Sequence, residues 1–137
     1  MFETMFNNVS LLKKGLDASW LKNEVISNNV ANVDTPGFKS SSVQFEAMFK
    51  EALDNNGSNF VGTKTQEKHL DIGSKDINKL NATATQNNNT TMRLDGNNVD
   101  IDSEMTELAK NTIYYNMLSI KVSKELGRLR LAITEGK

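Results

Sequence analysis

The sequence predicts a mainly α fold, in which long helices at the N- and C-terminal ends pair as an antiparallel coiled coil. Apolar residues recur with a helical period in segments 1–33 and 101–134, and these segments hold 21 of the 34 Leu, Ile, Val and Phe residues. The other 70 residues hold only 13. A segment so poor in apolar side chains buries too little surface to offset its conformational entropy, so we expect an extended, partly disordered middle.

The first helix is predicted from about residue 4 to residue 32, where apolar residues are spaced alternately three and four apart. This spacing is typical of a coiled-coil seam. Ser19 and Asn23 interrupt the seam, and polar residues at such positions cost stability but specify register. The Pro36-Gly37 pair favours a turn beyond the helix. The apolar members of the seam are Phe2, Met5, Val9, Leu12, Leu16, Ile26, Val30 and Val33.

A second seam with the same spacing predicts a helix from about residue 101 to the C-terminal end. Asp102 or Ser103 is expected to cap its N-terminus, because short polar side chains accept hydrogen bonds from the first free N–H groups. The two helices are similar in length, so we expect them to pair side by side along their seams. The apolar members of the second seam are Ile101, Met105, Leu108, Tyr115, Val122, Leu126, Leu129 and Ile133.

The polar middle contains one further helical pattern. Ser41-Ser42-Val43-Gln44 has the form of a capping box, and apolar residues follow it at helical spacing from Phe45 to Leu53. We therefore predict a short helix at about 42–54. The segment at about 55–92 is rich in Asn, Thr and Gly and is predicted to be a flexible loop, with a short strand considered near Phe60-Val61.

These elements predict one core domain, formed by residues 1–33 together with 101–137, and a polar middle segment at 34–100. The net charge of −1, from 16 basic and 17 acidic residues, gives no global field that would attract nucleic acid. The chain has no cysteine, which excludes disulfides and a thiol nucleophile. It shows neither a membrane-spanning run nor a secretory signal pattern, so composition alone predicts a cytosolic protein.

Catalytic chemistry is not indicated. The single histidine, His69, has no serine, cysteine or second histidine at a meaningful spacing. The acidic run from Asp95 to Asp102 departs from a calcium loop, because Val99 occupies the fifth ligand position and Asp100 replaces the required glycine. A turn at Asp95-Gly96 that leads into the last helix is therefore favoured. We expect no enzyme activity, no cofactor and no metal.

Two stretches resemble the signatures of one protein family. Ile26–Lys39, with its Asn-rich helix end and Asp-Thr-Pro-Gly-Phe sequence, resembles the N-terminal signature of the bacterial flagellar rod and hook proteins. Leu94–Asp102, followed by a long helix, resembles the second signature, found in the small proximal rod members. The short length and lack of a bulky inserted domain agree with those members. The signature residues are Asn28, Asn29, Asn32, Thr35, Pro36, Gly37, Phe38, Asp95, Gly96, Asn97, Val99 and Asp100.

The resemblance implies a structural subunit that polymerises through its terminal helices, with the seam residues as the assembly surface. It places the protein in the drive shaft of the flagellar basal body, between the export gate with its MS ring and the distal rod. The implied partners are the chain itself, rod proteins of the FlgC, FlgF and FlgG types, FliE and the export gate at the base, and the type III export apparatus. Neither nucleic acid nor membrane insertion is implied.

The resemblance also changes the expected location to the periplasmic rod, reached by export from the cytoplasm without a cleaved signal. Phe45 and Phe49 match the Phe-x-x-x-hydrophobic pattern of an export-gate motif. The same two residues also suit the buried face of the short helix, and an exported, unfolded chain allows both roles. A soluble cytosolic helical-hairpin adaptor or secretion chaperone stays open as an alternative function.

Overall fold

A computed structural model describes residues 2–45, 50, 81–88 and 90–134. Helix α1 runs from Phe2 to Ala31 and helix α2 from Ile101 to Thr134. Strands β1 (Ser41–Val43) and β2 (Ala84–Gln86) lie between them in the chain. With 30 and 34 residues, the helices are about 45 and 51 Å long at a rise of 1.5 Å per residue. The prediction of a mainly α fold with two long terminal helices is confirmed.

The two helices pack side by side in opposite directions. Lys22 in α1 bonds to Glu107 in α2, and Asn29, further along α1, bonds to Glu104, earlier in α2. Gly15 lies near Leu118 at the other end of this series. Residue numbers in α2 therefore fall as those in α1 rise, which confirms the antiparallel pairing. No helix in the described part of the chain has the length and apolar character needed to cross a bilayer.

The strands form a two-stranded antiparallel sheet beside the helix pair, with Ser41 opposite Gln86 and Val43 opposite Ala84. The expected helix start at about residue 42 is therefore wrong. The backbone of Ser41 is extended because its N–H and carbonyl both bond to the Asn29 side chain, while β2 pairs along the strand. Phe45 and Lys50 have helical conformation, and the rest of the predicted 42–54 helix lies outside the described residues.

The predicted loop at 55–92 also needs correction at its C-terminal end. Residues 84–86 form β2, because β1 supplies hydrogen-bonding partners that a polar sequence pattern does not reveal. The rest of the prediction from 55 to 80, including the strand near Phe60-Val61, lies outside the described residues.

Helix α2 is capped by Asp100, which corrects the expected cap at Asp102 or Ser103. The Asp100 carboxylate accepts a hydrogen bond from the Asp102 N–H at 3.1 Å. The Asp100 carbonyl accepts the first helical bond, from the Glu104 N–H at 2.9 Å. Both bonds define the N-cap position. The cap thus lies two or three residues before the expected position.

The apolar core of the described residues is small. The buried apolar residues of the described chain are Ala18, Val25, Ile26, Val99 and Leu129. Of the predicted seam residues in α1, Ile26 is buried and Val9, Leu12, Leu16 and Val30 are half-buried; Val33, just beyond the helix, is also half-buried. The side chains of Phe2 and Met5 lie outside the described part. Of the two polar interruptions, Ser19 is buried and Asn23 is exposed.

The predicted seam of α2 is only partly correct. Leu129 is buried and Leu108 and Val122 are half-buried, as a seam requires. The other predicted members are exposed: Ile101, Met105, Tyr115, Leu126 and Ile133. The residues that join the seam instead are Glu104, Asn111, Leu118 and Glu125, each one position before a position of the predicted period, namely 105, 112, 119 and 126. Polar contacts account for this shift of the seam, because Glu104 and Asn111 hydrogen-bond to α1.

Candidate functional site

The two signature stretches meet where α1 ends and α2 begins. The Gly37 N–H donates to the Asp95 carbonyl at 2.9 Å. Both Gly37 and Gly96 have left-handed backbones, with φ of 72° and 84°, which L side chains rarely adopt. A Cβ on Gly96 would lie 3.6 Å from the Gly37 Cα. Two glycine turns therefore pack against each other and join the end of α1 to the start of α2, at one end of the helix pair.

Asn97 is the centre of this junction and is fully buried. Its Nδ2 donates to three carbonyls just beyond the end of α1, those of Asn32 at 3.0 Å, Val33 at 2.9 Å and Thr35 at 3.0 Å. Its Oδ1 accepts from the Val99 N–H at 2.7 Å. A single side chain thus binds the turn after α1 to the segment that enters α2.

Two more buried asparagines attach the strands to this junction. Asn29 receives the Ser41 N–H on its Oδ1 at 3.0 Å and donates from Nδ2 to the Ser41 carbonyl at 2.8 Å. Asn98 accepts the Ser40 N–H at 2.7 Å and donates to the Asn87 carbonyl at 2.8 Å. An amide side chain has one acceptor and two donors, so it can pair with a strand as a backbone peptide does. In the described part, every buried side-chain N or O atom has a partner.

Two cations close the rim of the junction. Lys39 Nζ donates to the carbonyls of Thr90 at 2.9 Å and Gly96 at 2.8 Å. Arg93 donates to the Val33 carbonyl at 3.1 Å and pairs with Asp95 at 3.4 Å. All of these groups lie within one loop cluster, which stiffens the junction.

The remaining signature residues lie around this centre. Asn32 donates to the Asn28 carbonyl at 2.8 Å, and the Thr35 hydroxyl donates to Asn32 Oδ1 at 3.3 Å. Pro36 is exposed and Phe38 is half-buried. The structure therefore brings the two predicted signatures together. Of the predicted export motif, Phe45 is half-buried and Phe49 lies outside the described residues.

The polar contacts across the helix pair shift two carboxyl groups in opposite directions. Burial raises the pKa of Glu104 above its ordinary 4.5, and the nearby Glu107 and Asp100 carboxylates add to this, while the Asn29 hydrogen bond opposes it. Hydrogen bonds from Lys110 and Lys22, at 2.8 and 2.9 Å, lower the pKa of Glu107 to about 2.

We expect Glu104→Gln to stabilise the chain relative to the parent as the pH rises from about 4 to 7. The folded chain disfavours ionised Glu104, so this carboxyl favours folding below pH 4.5 and loses that contribution as the pH rises through its raised pKa. Glutamine stays neutral and can still accept from Asn29. Urea denaturation midpoints at several pH values measure the difference.

The control for this experiment is Glu107→Gln, for which we expect the opposite sign. The ionised Glu107 carboxylate stabilises the fold above pH 4.5, and this contribution is lost as the pH falls through about 2. The variant should therefore be less stable to unfolding than the parent at pH 7. A Glu104→Gln variant whose midpoint follows the parent at every pH would contradict the raised pKa.

A second candidate feature is the outward face of α2, which the sequence pattern did not single out. The members of this outward face are Ile113, Met117, Ile120 and Leu131, and all are exposed. Residues 113, 117 and 120 are four and three apart, so they form one stripe along the helix. This spacing is the signal that could have found them, but the neighbouring seam has the same period.

The described residues offer no metal chemistry, since they hold no group of three His, Cys, Asp or Glu side chains that could bind an ion. His69 and its surroundings lie outside them. What the structure presents is a clamped helix pair with an apolar outward face. This arrangement is typical of a structural protein of the helix-pair class, because an exposed apolar face marks an interaction surface.

The chain belongs to the FlgB family of flagellar basal body rod proteins. A family model described as "Flagella basal body rod protein" matches residues 15–39. The chain is 36% identical to the flagellar basal body rod protein FlgB of Bacillus subtilis (strain 168) over 126 residues, 92% of each chain. It is 38% identical to FlgB of Borrelia hermsii over 115 residues, 82% of this chain and 84% of the relative. With FlgB of Proteus mirabilis it shares 26% identity over 139 residues, 99% of this chain and all of the relative.

Membership of this family confirms the resemblance predicted from the two signatures. The protein is a structural subunit of the flagellar basal body rod, assembles with other rod components, serves motility and is not an enzyme. The family favours this function over the alternative of a cytosolic adaptor or chaperone.

Proposed function

We propose that this subunit polymerises through its terminal helices and forms part of the proximal drive shaft, between the export gate with its MS ring and the distal rod. The observation that carries the proposal is the exposed apolar outward face of α2, beside a core of only five buried apolar residues among those described. Each Å² of apolar surface removed from water stabilises association by about 25 cal/mol. Neighbouring subunits would complete the core that the helix pair lacks.

A rod requires a heterologous contact, in which the outward face of α2 meets a different surface of the next subunit. The outward face lies on α2 alone, and α1 presents a different, more polar surface, in which Phe6 and Trp20 are the exposed large apolar residues of the described part. A contact between two different surfaces is heterologous, and it generates a helical filament when its rotation does not close. A rod is such a filament.

We further propose FlgC-, FlgF- and FlgG-type proteins as neighbours along the rod, with FliE and the export gate at its base. The support is the family itself, since its named relatives are FlgB proteins of the basal body rod. Export through the type III apparatus without a cleaved signal belongs to the same proposal, with Phe45 and Phe49 as its recognition residues.

The experiment that tests polymerisation is Ile120→Asp in the complete chain. Ile120 is 58% exposed and lies opposite the α1 contact, so the change should leave the helix pair folded. A charge in the proposed contact cannot be desolvated without a partner, so the rod should fail to form. We expect unchanged helix content and thermal midpoint, loss of swimming, and basal bodies without a complete rod by electron microscopy.

The matched control is Ser119→Asp, which adds the same charge at the neighbouring exposed position on the flank of α2. We expect this variant to keep most of its swimming. Normal rods and normal swimming with Ile120→Asp would overturn the proposed assembly face, and equal defects in both variants would show that any added charge on α2 is harmful.

A further inference from the structure

We propose that a polar ladder across the helix pair fixes the rotation of α2 about its axis, and so decides which of its apolar residues stay exposed. The ladder consists of three contacts, Ser19 with Asn111, Lys22 with Glu107, and Asn29 with Glu104. Its α2 members are positioning residues, because they act through the orientation of the helix. The use of exposed apolar residues of α2 in assembly rests on the proposed function, whereas the rotation of α2 does not.

The three contacts follow one another along the helix pair. The Asn111 Nδ2 donates to the Ser19 carbonyl at 2.8 Å, and both residues are buried. The Lys22 ammonium donates to Glu107 at 2.9 Å. On α2 the members are spaced three and four apart, as a seam requires. A buried amide without its partner would be costly, so each contact opposes any rotation that breaks it.

Hydrophobic packing alone favours a different rotation. The predicted seam and the observed one each consist of two columns of residues along α2. They share the column that contains Leu108, Val122 and Leu129, and their second columns are shifted by one position in the chain. The predicted column contains Met105 and Leu126, whereas the observed one contains Glu104, Asn111, Leu118 and Glu125. Successive helical residues are about 100° apart, so exchanging the columns rotates the contact face of α2 by roughly 50°.

The close approach of α2 to Gly15 allows the rotation of α2 to be measured. A Cβ on Gly15 would lie 3.2 Å from the Leu118 Cδ1, so residue 118 points at this glycine. In the rotated packing residue 119 would take that place. The chain has no cysteine, so an introduced pair can form only one disulfide within a chain.

The experiment compares Gly15→Cys/Leu118→Cys with Gly15→Cys/Ser119→Cys, oxidised where circular dichroism reports full helix content. The rate of the intrachain disulfide is measured by mass spectrometry. A disulfide needs Cβ atoms about 4 Å apart, so we expect the 118 pair to form about tenfold faster than the 119 pair.

The ladder is then broken with Lys22→Ala/Asn111→Asp in both cysteine backgrounds. Aspartate has the shape of asparagine but places a carboxylate against the Ser19 carbonyl, so residue 111 must leave the seam. We expect the preference for the 118 pair to be lost or reversed. Thr112→Asp is the control, because it adds the same charge one residue away on an exposed position and should keep the preference.

Three results would overturn the proposal: equal rates for the two pairs in the parent chain, an unchanged preference after the ladder is broken, or the same loss with Thr112→Asp. None of these measurements requires the rod. If the rod does not polymerise through this face but the 118 pair still forms faster than the 119 pair, the proposed function is contradicted and the proposed role of the ladder is not.

Discussion

Replacing Asn97 with aspartate is expected to lower the free energy of unfolding by about 3 kcal/mol. The change conserves shape, but the amide that donates to the carbonyls of Asn32, Val33 and Thr35 becomes a carboxylate facing three carbonyl oxygens. The side chain is fully buried, so water cannot solvate the new charge. The glycine turns at 37 and 96 should separate, and the join between the two helices should loosen.

Urea denaturation followed by circular dichroism measures this effect. The control is Asn28→Asp, an identical change on an exposed residue of α1, for which we expect a shift of less than about 0.5 kcal/mol. If Asn97→Asp were as mild as its control, the junction would not depend on the buried amide, and the strands or the glycine turns would have to hold it.

Replacing Leu129 with aspartate is expected to separate the end of the helix pair, at a cost of about 3 kcal/mol or more. Leu129 is 7% exposed and is the buried apolar residue that α2 contributes. The same change at Leu126, three residues earlier and 50% exposed, should cost less than about 1 kcal/mol. Both variants replace a leucine of α2 with aspartate, so the main difference between them is the burial of the leucine.

Thermal and urea unfolding of both variants distinguish the observed rotation of α2 from the one that the sequence predicts. In the predicted seam both leucines are buried, so equal destabilisation would contradict the structure. If α2 is oriented as observed, Leu126→Asp stays folded, and any loss of swimming in that variant reports on assembly.

The limits of sequence reasoning appear in particular residues. The apolar period predicted the bounds of both helices to within a few residues, because a three-four repeat sustained over four heptads fits an α-helix and not a strand. The signatures around Asn29 and Asn97 were recognised, but their bonds were not, since the Asn97 amide bonds to carbonyls 62 to 65 residues away. The extended conformation of Ser41 was missed for the same reason, because its partners lie at Asn29 and in β2.

The sequence by itself determined that two long amphipathic helices enclose a polar middle, because helical period and composition are local properties of the chain. Only the tertiary structure decided which side of α2 faces α1. The two possible contact faces of α2 share one column of apolar residues, so the apolar pattern fits both faces. The choice depends on polar contacts between residues 75 to 92 positions apart, which turn Glu104 and Asn111 towards α1.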